Sequence, residues 1–226
     1  MTLDLRFWSK SVHLHDVRAL ALLPALKAGY VPWTSSSLRP GAVRAILNEV
    51  IVNRRTTVLE CGSGISSLYV ARELMKVGGK LVSIENDDEW ITIVRELSLR
   101  EGISEDALEF IHAPLEELTL EGVTSRWYDR RIVENRLLGG MFDVLVVDGP
   151  LAGGSAGRNS RLPALQFLAP HMRDDACIFI DDIHRRAERR LAQRWSRDYH
   201  MHLSLRPIES GVAVLHSEGM EPRNIW

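Results

Sequence analysis

The chain has 226 residues, 45% of them hydrophobic and 26% charged, which is the make-up of one globular domain and sets aside collagen-like, low-complexity and wholly disordered chains. With 28 Lys and Arg against 30 Asp and Glu, the formal charge is −2, so a nucleic-acid partner held by bulk positive charge is not expected. The longest apolar run, Ala19 to Leu26, is interrupted by Pro24 and is too short to span a membrane, and Met1 to Lys10 lacks the pattern of an export signal. The two cysteines, Cys61 and Cys177, form no CxxC or metal-type spacing and read as reduced thiols. The expectation is a soluble, cytoplasmic domain without a membrane partner.

In chain order, helical spacing of apolar residues runs from Leu14 to Lys27 and stops at Gly29 and Pro32. Thr34-Ser35-Ser36-Ser37 leads into Pro40, which suits the first turn of a second helix carrying Val43, Ile46, Leu47, Val50 and Ile51. Thr56 to Glu60 is a β-branched run that breaks at Cys61-Gly62-Ser63-Gly64, a strand entering a glycine turn. The alternation continues with a helix from Ser66 to Val77, a strand from Lys80 to Glu85, a helix from Asp88 to Arg100 and a strand from Leu108 to His112. A polar insertion containing Trp127-Tyr128 and a short helix from Ile132 to Leu138 precede the apolar strand Phe142 to Asp148. A Gly-rich loop, a helix from Ser160 to His171, the strand Cys177 to Asp181 and an Arg-rich helix from Ile183 to Tyr199 follow. Two closing strands, His202 to Pro207 and Val212 to His216, are joined by so short a turn that they must be antiparallel.

Strands alternating with helices predict an α/β fold: a Rossmann-like, doubly wound, mostly parallel sheet of seven strands, with an antiparallel C-terminal strand and an N-terminal helical extension. It forms one domain, with residues 1–53 as N-terminal helices and lid and 54–226 as the core. Ligands of such sheets bind beyond the carboxyl ends of the strands. Those ends are Glu60, Glu85, Ala113, Asp148 and Asp181-Asp182, and four of the five carry carboxylates. Unpaired acids crowded together repel and resist burial, so a ligand-binding edge explains the set better than stability does. Helix capping accounts for Asp182 or Asp88 individually.

The turn Glu60-Cys61-Gly62-Ser63-Gly64 allows close approach of backbone to a ligand, and the helix behind it offers free N–H groups. Glu85 lies about 20 residues beyond it, a spacing suited to gripping ribose hydroxyls. Ser67 stands where a dinucleotide fingerprint has its third glycine. On these motifs the sequence resembles the class I S-adenosylmethionine-dependent methyltransferases, from about Arg39 to His216. Within that superfamily it is most similar to the catechol and caffeoyl-coenzyme A type and to sugar O-methyltransferases, through Thr34 to Gly41 and through Asp148 with Asp181-Asp182.

The resemblance implies a cofactor set of Ser37, Glu60, Gly62, Ser63, Gly64, Ser67, Glu85, Asn86, Ala113 and Asp148, with Thr34 to Arg39 as a lid. It also implies a divalent cation, Mg²⁺ or Mn²⁺, on Asp148, Asp181 and Asp182, since hard cations take carboxylate oxygens. The chain departs from the catechol type in lacking a lysine shortly after Asp148 and in having Asp182 where that type has Asn. The expected reaction is methyl transfer to a hydroxyl of a small acceptor, a sugar or secondary metabolite. His184 and Asp148 are the catalytic candidates. The alternative reading of the acids has Asp148 on cofactor or substrate, Asp182 capping the next helix and His184 as sole base, or His184 as a mere helix-start residue.

Other functions consistent with the fold are an aminopropyltransferase, a nicotinamide-dependent oxidoreductase, which Ser67 and the closing hairpin disfavour, and a non-catalytic cofactor-binding module. The arginines of the 185–197 helix read as a solvated face or as a contact for an anionic substrate. Trp127-Tyr128 either wall a substrate pocket or pack beneath a loop. The apolar Asn224-Ile225-Trp226 tail suits docking on the body or on the second subunit of a homodimer.

Overall fold

The computed structural model describes residues 16–27, 31–151, 157, 159–206 and 211–217; the expected docking tail lies outside them. A helix covers residues 16–22 (α1). It is shorter than the apolar spacing suggests, because Pro24 removes a backbone donor and ends the pattern. Helix α2 (Pro40–Val52) begins at its proline, and the Gly41 N–H is held by Asp16 Oδ1 at 2.9 Å, so α1 caps α2. Strand β1 (Thr57–Cys61), helix α3 (Ile65–Met75), strand β2 (Lys80–Glu85), helix α4 (Asp88–Arg100) and strand β3 (Leu108–His112) follow in the expected alternation.

The segment read as a polar insertion is instead a hairpin, β4 (Leu115–Leu120) paired antiparallel with β5 (Val123–Tyr128), and it stands outside the main sheet. Its turn places Glu121 and Gly122 at positive φ, 50° and 77°, the left-handed pair that a tight hairpin requires. Helix α5 (Arg130–Arg136) and strand β6 (Phe142–Val147) come next. The single helix expected from Ser160 to His171 is a shorter α6 (Pro163–Leu168) continued by a 3-10 turn over Ala169–His171. Strand β7 (Met172–Ile180) starts five residues before the expected Cys177, because its first residues lie at the solvated end of the sheet and carry polar side chains. Helix α7 (Arg186–Asp198) and strands β8 (Met201–Arg206) and β9 (Val212–Ser217) complete the chain.

The main sheet has seven strands in the order β3-β2-β1-β6-β7-β9-β8. Pairing is parallel from β3 through β7, and β9 runs antiparallel between β7 and β8. Every residue of β6 is buried, as a central strand covered on both faces demands. Alternate strand residues feed two cores. Val58, Leu81, Val144 and Phe179 pack with α2, α3 and α4, whereas Leu59, Ile84, Leu145 and Ile180 pack with the hairpin, α5, α6 and α7. At the amino ends of the strands, buried Arg55 bonds Glu49 at 2.9 Å and Asp175 at 2.8 Å. Asp143 accepts the Thr56 and Thr57 N–H groups at 2.8 and 2.9 Å. The opposite, carboxyl ends of β1, β2, β6 and β7 therefore gather the glycine turn and the acids at one edge.

Candidate active site

The switch point lies between β1 and β6, since β2 neighbours β1 on its other side. Beyond β1 the chain turns at Gly62, whose φ of 90° favours glycine. A Cβ there would lie 3.0 Å from the Gly149 nitrogen. Gly149, which precedes a cis Pro150, donates its N–H to the Cys61 carbonyl at 2.6 Å. The β1 turn and the β6 loop are thus in direct backbone contact.

Glu60 sits beneath this turn and faces away from the open edge. It is 1% exposed, and its carboxylate accepts the Ser66, Ser67 and Ser83 hydroxyls at 2.6, 2.5 and 3.2 Å. Burial pushes its pKa up to about 7 against the pull of the seryl bonds. Ser67 is fully buried and also accepts the Gly64 N–H at 3.0 Å. Of the expected cofactor set, Glu60 and Ser67 hold the turn from below, because their side chains project into the protein.

Glu85 ends β2 beside the turn. One carboxylate oxygen accepts the Ser63 N–H at 3.0 Å and the Ser63 hydroxyl at 3.2 Å; the other takes the Asn86 and Asp87 N–H groups at 2.7 and 3.1 Å. The Trp90 indole donates to the Ser63 carbonyl at 2.8 Å and packs against the α2–α4 core. Ser63, Gly64 and Asn86 are partly exposed around this carboxylate, while Ala113 is fully buried and donates its N–H to the Glu85 carbonyl at 2.8 Å. Ser37 closes a turn of its own, its hydroxyl accepting the Thr34 N–H at 2.9 Å. Thr34, Ser35 and Ser36 are exposed.

Asp148, Asp181 and Asp182 converge as the sequence suggests, with one oxygen of each within 4.8 Å of the others. Asp182 has a φ of 61°, a strained backbone position of the kind concentrated at functional sites. At the centre stands a residue the sequence reading passed over. Arg161, 2% exposed, reaches Asp148 at 3.2 Å, Asp182 at 2.9 Å and the Asp181 carbonyl at 3.0 Å. Arg185 adds a second guanidinium on Asp182 at 3.0 Å, and His184 Nδ1 lies 3.8 Å from the same carboxylate. Burial and the Asp181 charge raise the Asp148 pKa well above the usual carboxylate range, against the pull of Arg161. The donor set suits a hard cation in type and number. That cation would nonetheless have to share Asp148 and Asp182 with a buried guanidinium.

Trp127 and Tyr128 are almost wholly buried and pack edge-on at 5.5 Å, which resolves their alternatives in favour of packing. Outside the acid cluster lies a cavity of about 800 Å³ between Asn159, Arg161, Leu162 and one side of α7.

A parallel sheet with a reversed closing strand, a glycine turn and an acid at the adjacent strand end define a nucleotide-type cofactor edge. A family model described as a methyltransferase domain matches residues 59–183, more than half of the chain, and the chain belongs to that family. The aminopropyltransferase and nicotinamide readings fall away with this assignment. No curated protein matches the sequence. Among solved structures, the O-methyltransferase TomG from Streptomyces achromogenes, involved in tomaymycin synthesis and solved with S-adenosylmethionine, is similar at a TM-score of 0.62 and 14% identity, over 96% of this chain and 100% of that one. An O-methyltransferase from Bacillus cereus in complex with S-adenosylhomocysteine matches at 0.58 and 15%, over 96% and 93%. The S-adenosylhomocysteine-bound methyltransferase PaMTH1 from Podospora anserina matches at 0.58 and 15%, over 92% and 88%. At these identities the likeness is one of fold. Among the described residues no helix is long and apolar enough to cross a membrane.

Proposed function

We propose that this enzyme transfers the methyl group of S-adenosylmethionine to a hydroxyl of a small acceptor, of the sugar or secondary-metabolite kind. The observation that carries the reading is the seam between the two loops: the Gly62 turn beside Glu85 abuts the Asp148 loop through the Gly149–Cys61 hydrogen bond. A cofactor on the turn and an acceptor at the acids would thus be neighbours. Glu85 is suited to bind the ribose hydroxyls, one of which would take the place of the Ser63 hydroxyl at 3.2 Å. The Ser37 turn is placed in sequence to cover the cofactor.

In the reaction the acceptor oxygen attacks the methyl carbon in line, the carbon–sulfur bond breaks, and the sulfonium becomes a neutral thioether. Holding the two reactants in this alignment supplies much of the rate. The acceptor proton passes to His184, oriented by Asp182, while Asp148 holds the acceptor hydroxyl. Arg161 balances the acids throughout. A second reading, favoured by the 4.8 Å convergence, places Mg²⁺ or Mn²⁺ on Asp148, Asp181 and Asp182, where it would lower the hydroxyl pKa.

Calorimetry tests the cofactor: S-adenosylmethionine and S-adenosylhomocysteine should bind and NAD should not, and the converse would end the proposal. Once an acceptor is found by S-adenosylhomocysteine release, His184→Gln should lower kcat. Activity that survives EDTA and gains nothing from Mg²⁺ or Mn²⁺ selects the first reading, whereas loss and recovery select the second.

A further inference from the structure

The side of α7 that borders the cavity is unusual in its charge arithmetic. Among the described residues, the cavity beside the acid cluster is lined by Arg161, Arg185, Arg186, Arg190 and Arg194 against a single carboxylate, Glu188. Three of these guanidiniums are already engaged: Arg161 and Arg185 with the acid cluster, and Arg194 with Glu121 and Asp198. Arg186 and Arg190 are exposed, and among the described residues neither has an ionic or hydrogen-bonding partner. Arg186, Arg190 and Arg194 are successive i,i+4 neighbours, so the helix stacks like charges along one row.

Such a row weakens a helix unless an anion offsets it. A merely solvated face would alternate its signs, as Arg194 and Asp198 do one turn further on. Here the row borders a concave site whose walls also include Leu162 and Leu191, apolar surface against which a ligand scaffold can lie. Arg161 and Arg185 belong to both the cavity and the acid cluster, so the cavity opens directly from the place of chemistry.

We propose that the cavity is the acceptor site and that Arg186 and Arg190 bind an anionic group, a phosphate or a carboxylate, carried by the acceptor. The acceptor hydroxyl would lie at Asp148 and His184, with the charged group about one helical turn away along α7, a separation near 5 Å. Planar guanidiniums suit both groups because each offers paired oxygens to a fork of donors. Identifying the ligand as the acceptor rests on the methyl-transfer reading; the anion site itself does not.

The test is calorimetric titration of the full chain, with and without S-adenosylhomocysteine, using inorganic pyrophosphate, citrate and, as a neutral control, glucose. Salt is held near 0.15 M, where loose surface attraction is screened beyond about 8 Å. Saturable binding of an anion but not of glucose is expected, weakened at least tenfold in the double variant Arg186→Gln/Arg190→Gln, with the affinity for S-adenosylhomocysteine and the circular dichroism unchanged. Preference for pyrophosphate assigns a phosphate ligand, and preference for citrate a carboxylate. Absence of saturable anion binding, or equal affinity in the double variant, overturns the inference and returns these arginines to a solvated face. If S-adenosylhomocysteine fails to bind while the anion binds and is lost in the double variant, the anion site stands and the methyl-transfer reading falls.

Discussion

Replacing Glu60 by Gln should change how stability depends on pH more than it changes the fold. The carboxyl is raised from 4.5 to about 7 in the native state, chiefly by burial. Below pH 4.5 it is protonated in both folded and unfolded chains and contributes no slope. Between 4.5 and 7 the unfolded chain releases its proton first, so it binds fewer protons than the native state and stability falls as pH rises. The gap between the two values corresponds to roughly 3 kcal/mol lost by about pH 8, at 1.36 kcal/mol per unit. Gln cannot titrate, yet its amide can still bond the Ser66, Ser67 and Ser83 hydroxyls, which rotate to suit. Urea denaturation of both proteins at pH 5 and pH 8 isolates this term, since the other titrating groups largely cancel in the difference. Part of the loss has already occurred at pH 5, so relative to wild type Glu60→Gln should gain roughly 2–3 kcal/mol between the two pH values. A difference that stays constant with pH would refute the assignment of a high native pKa to Glu60.

Glu85→Ala should weaken S-adenosylmethionine binding by roughly 1.5–3 kcal/mol, as loss of hydrogen bonds to a charged group does; wild-type affinity in a folded variant would move the ribose site elsewhere. Gly149→Ala places a Cβ 2.4 Å from the Tyr128 hydroxyl and 2.9 Å from the Gly62 nitrogen, so it should cost about 1–3 kcal/mol in thermal or urea unfolding. Tyr128→Phe should not restore that loss, because the Gly62 backbone remains in the way. Arg161→Gln leaves Asp148 without its counter-charge and Asp182 with Arg185 alone, and should destabilise the protein by about 3 kcal/mol at pH 8. The loss should shrink in acid, where Asp148 is protonated, and Mg²⁺ should raise the melting temperature of the variant more than that of wild type; equal responses would mean that Arg161 is not the counter-charge of the acids.

The strands and the edge they create were readable in the sequence because Val58-Leu59, Leu81 to Ile84 and Val144 to Val147 are apolar runs with acids at their ends. The topology then brings Glu85, Asp148 and Asp182 to one side, as parallel connections require. The β4–β5 hairpin was obscured because no residue of its first strand is buried and it carries Glu116 and Glu117, so no buried face imposes a clear alternation. The Glu121-Gly122 pair was the local signal available for it. The inward direction of Glu60 was not legible because residue type cannot tell which way a strand-end side chain points; three serines spaced to meet it, at 66, 67 and 83, were the clue. Arg161 was hidden for a different reason. It precedes α6 with no motif around it, and only tertiary folding carries its guanidinium to acids far along the chain.

The hairpin also bears on how substrate range can change in this enzyme. Its Trp127-Tyr128 end is sunk in the core, whereas its tip touches α7 through the Glu121–Arg194 ion pair and lends Val123 to the cavity wall. One wall of the cavity therefore hangs on a tight turn whose exposed contact contributes little to stability. Lengthening or recomposing that turn can reshape the space offered to a ligand while β1, β2 and β6 keep their register. If the cavity holds the acceptor as proposed, diversity in acceptors can accumulate at the tip of a single hairpin, with the Gly62 turn left untouched.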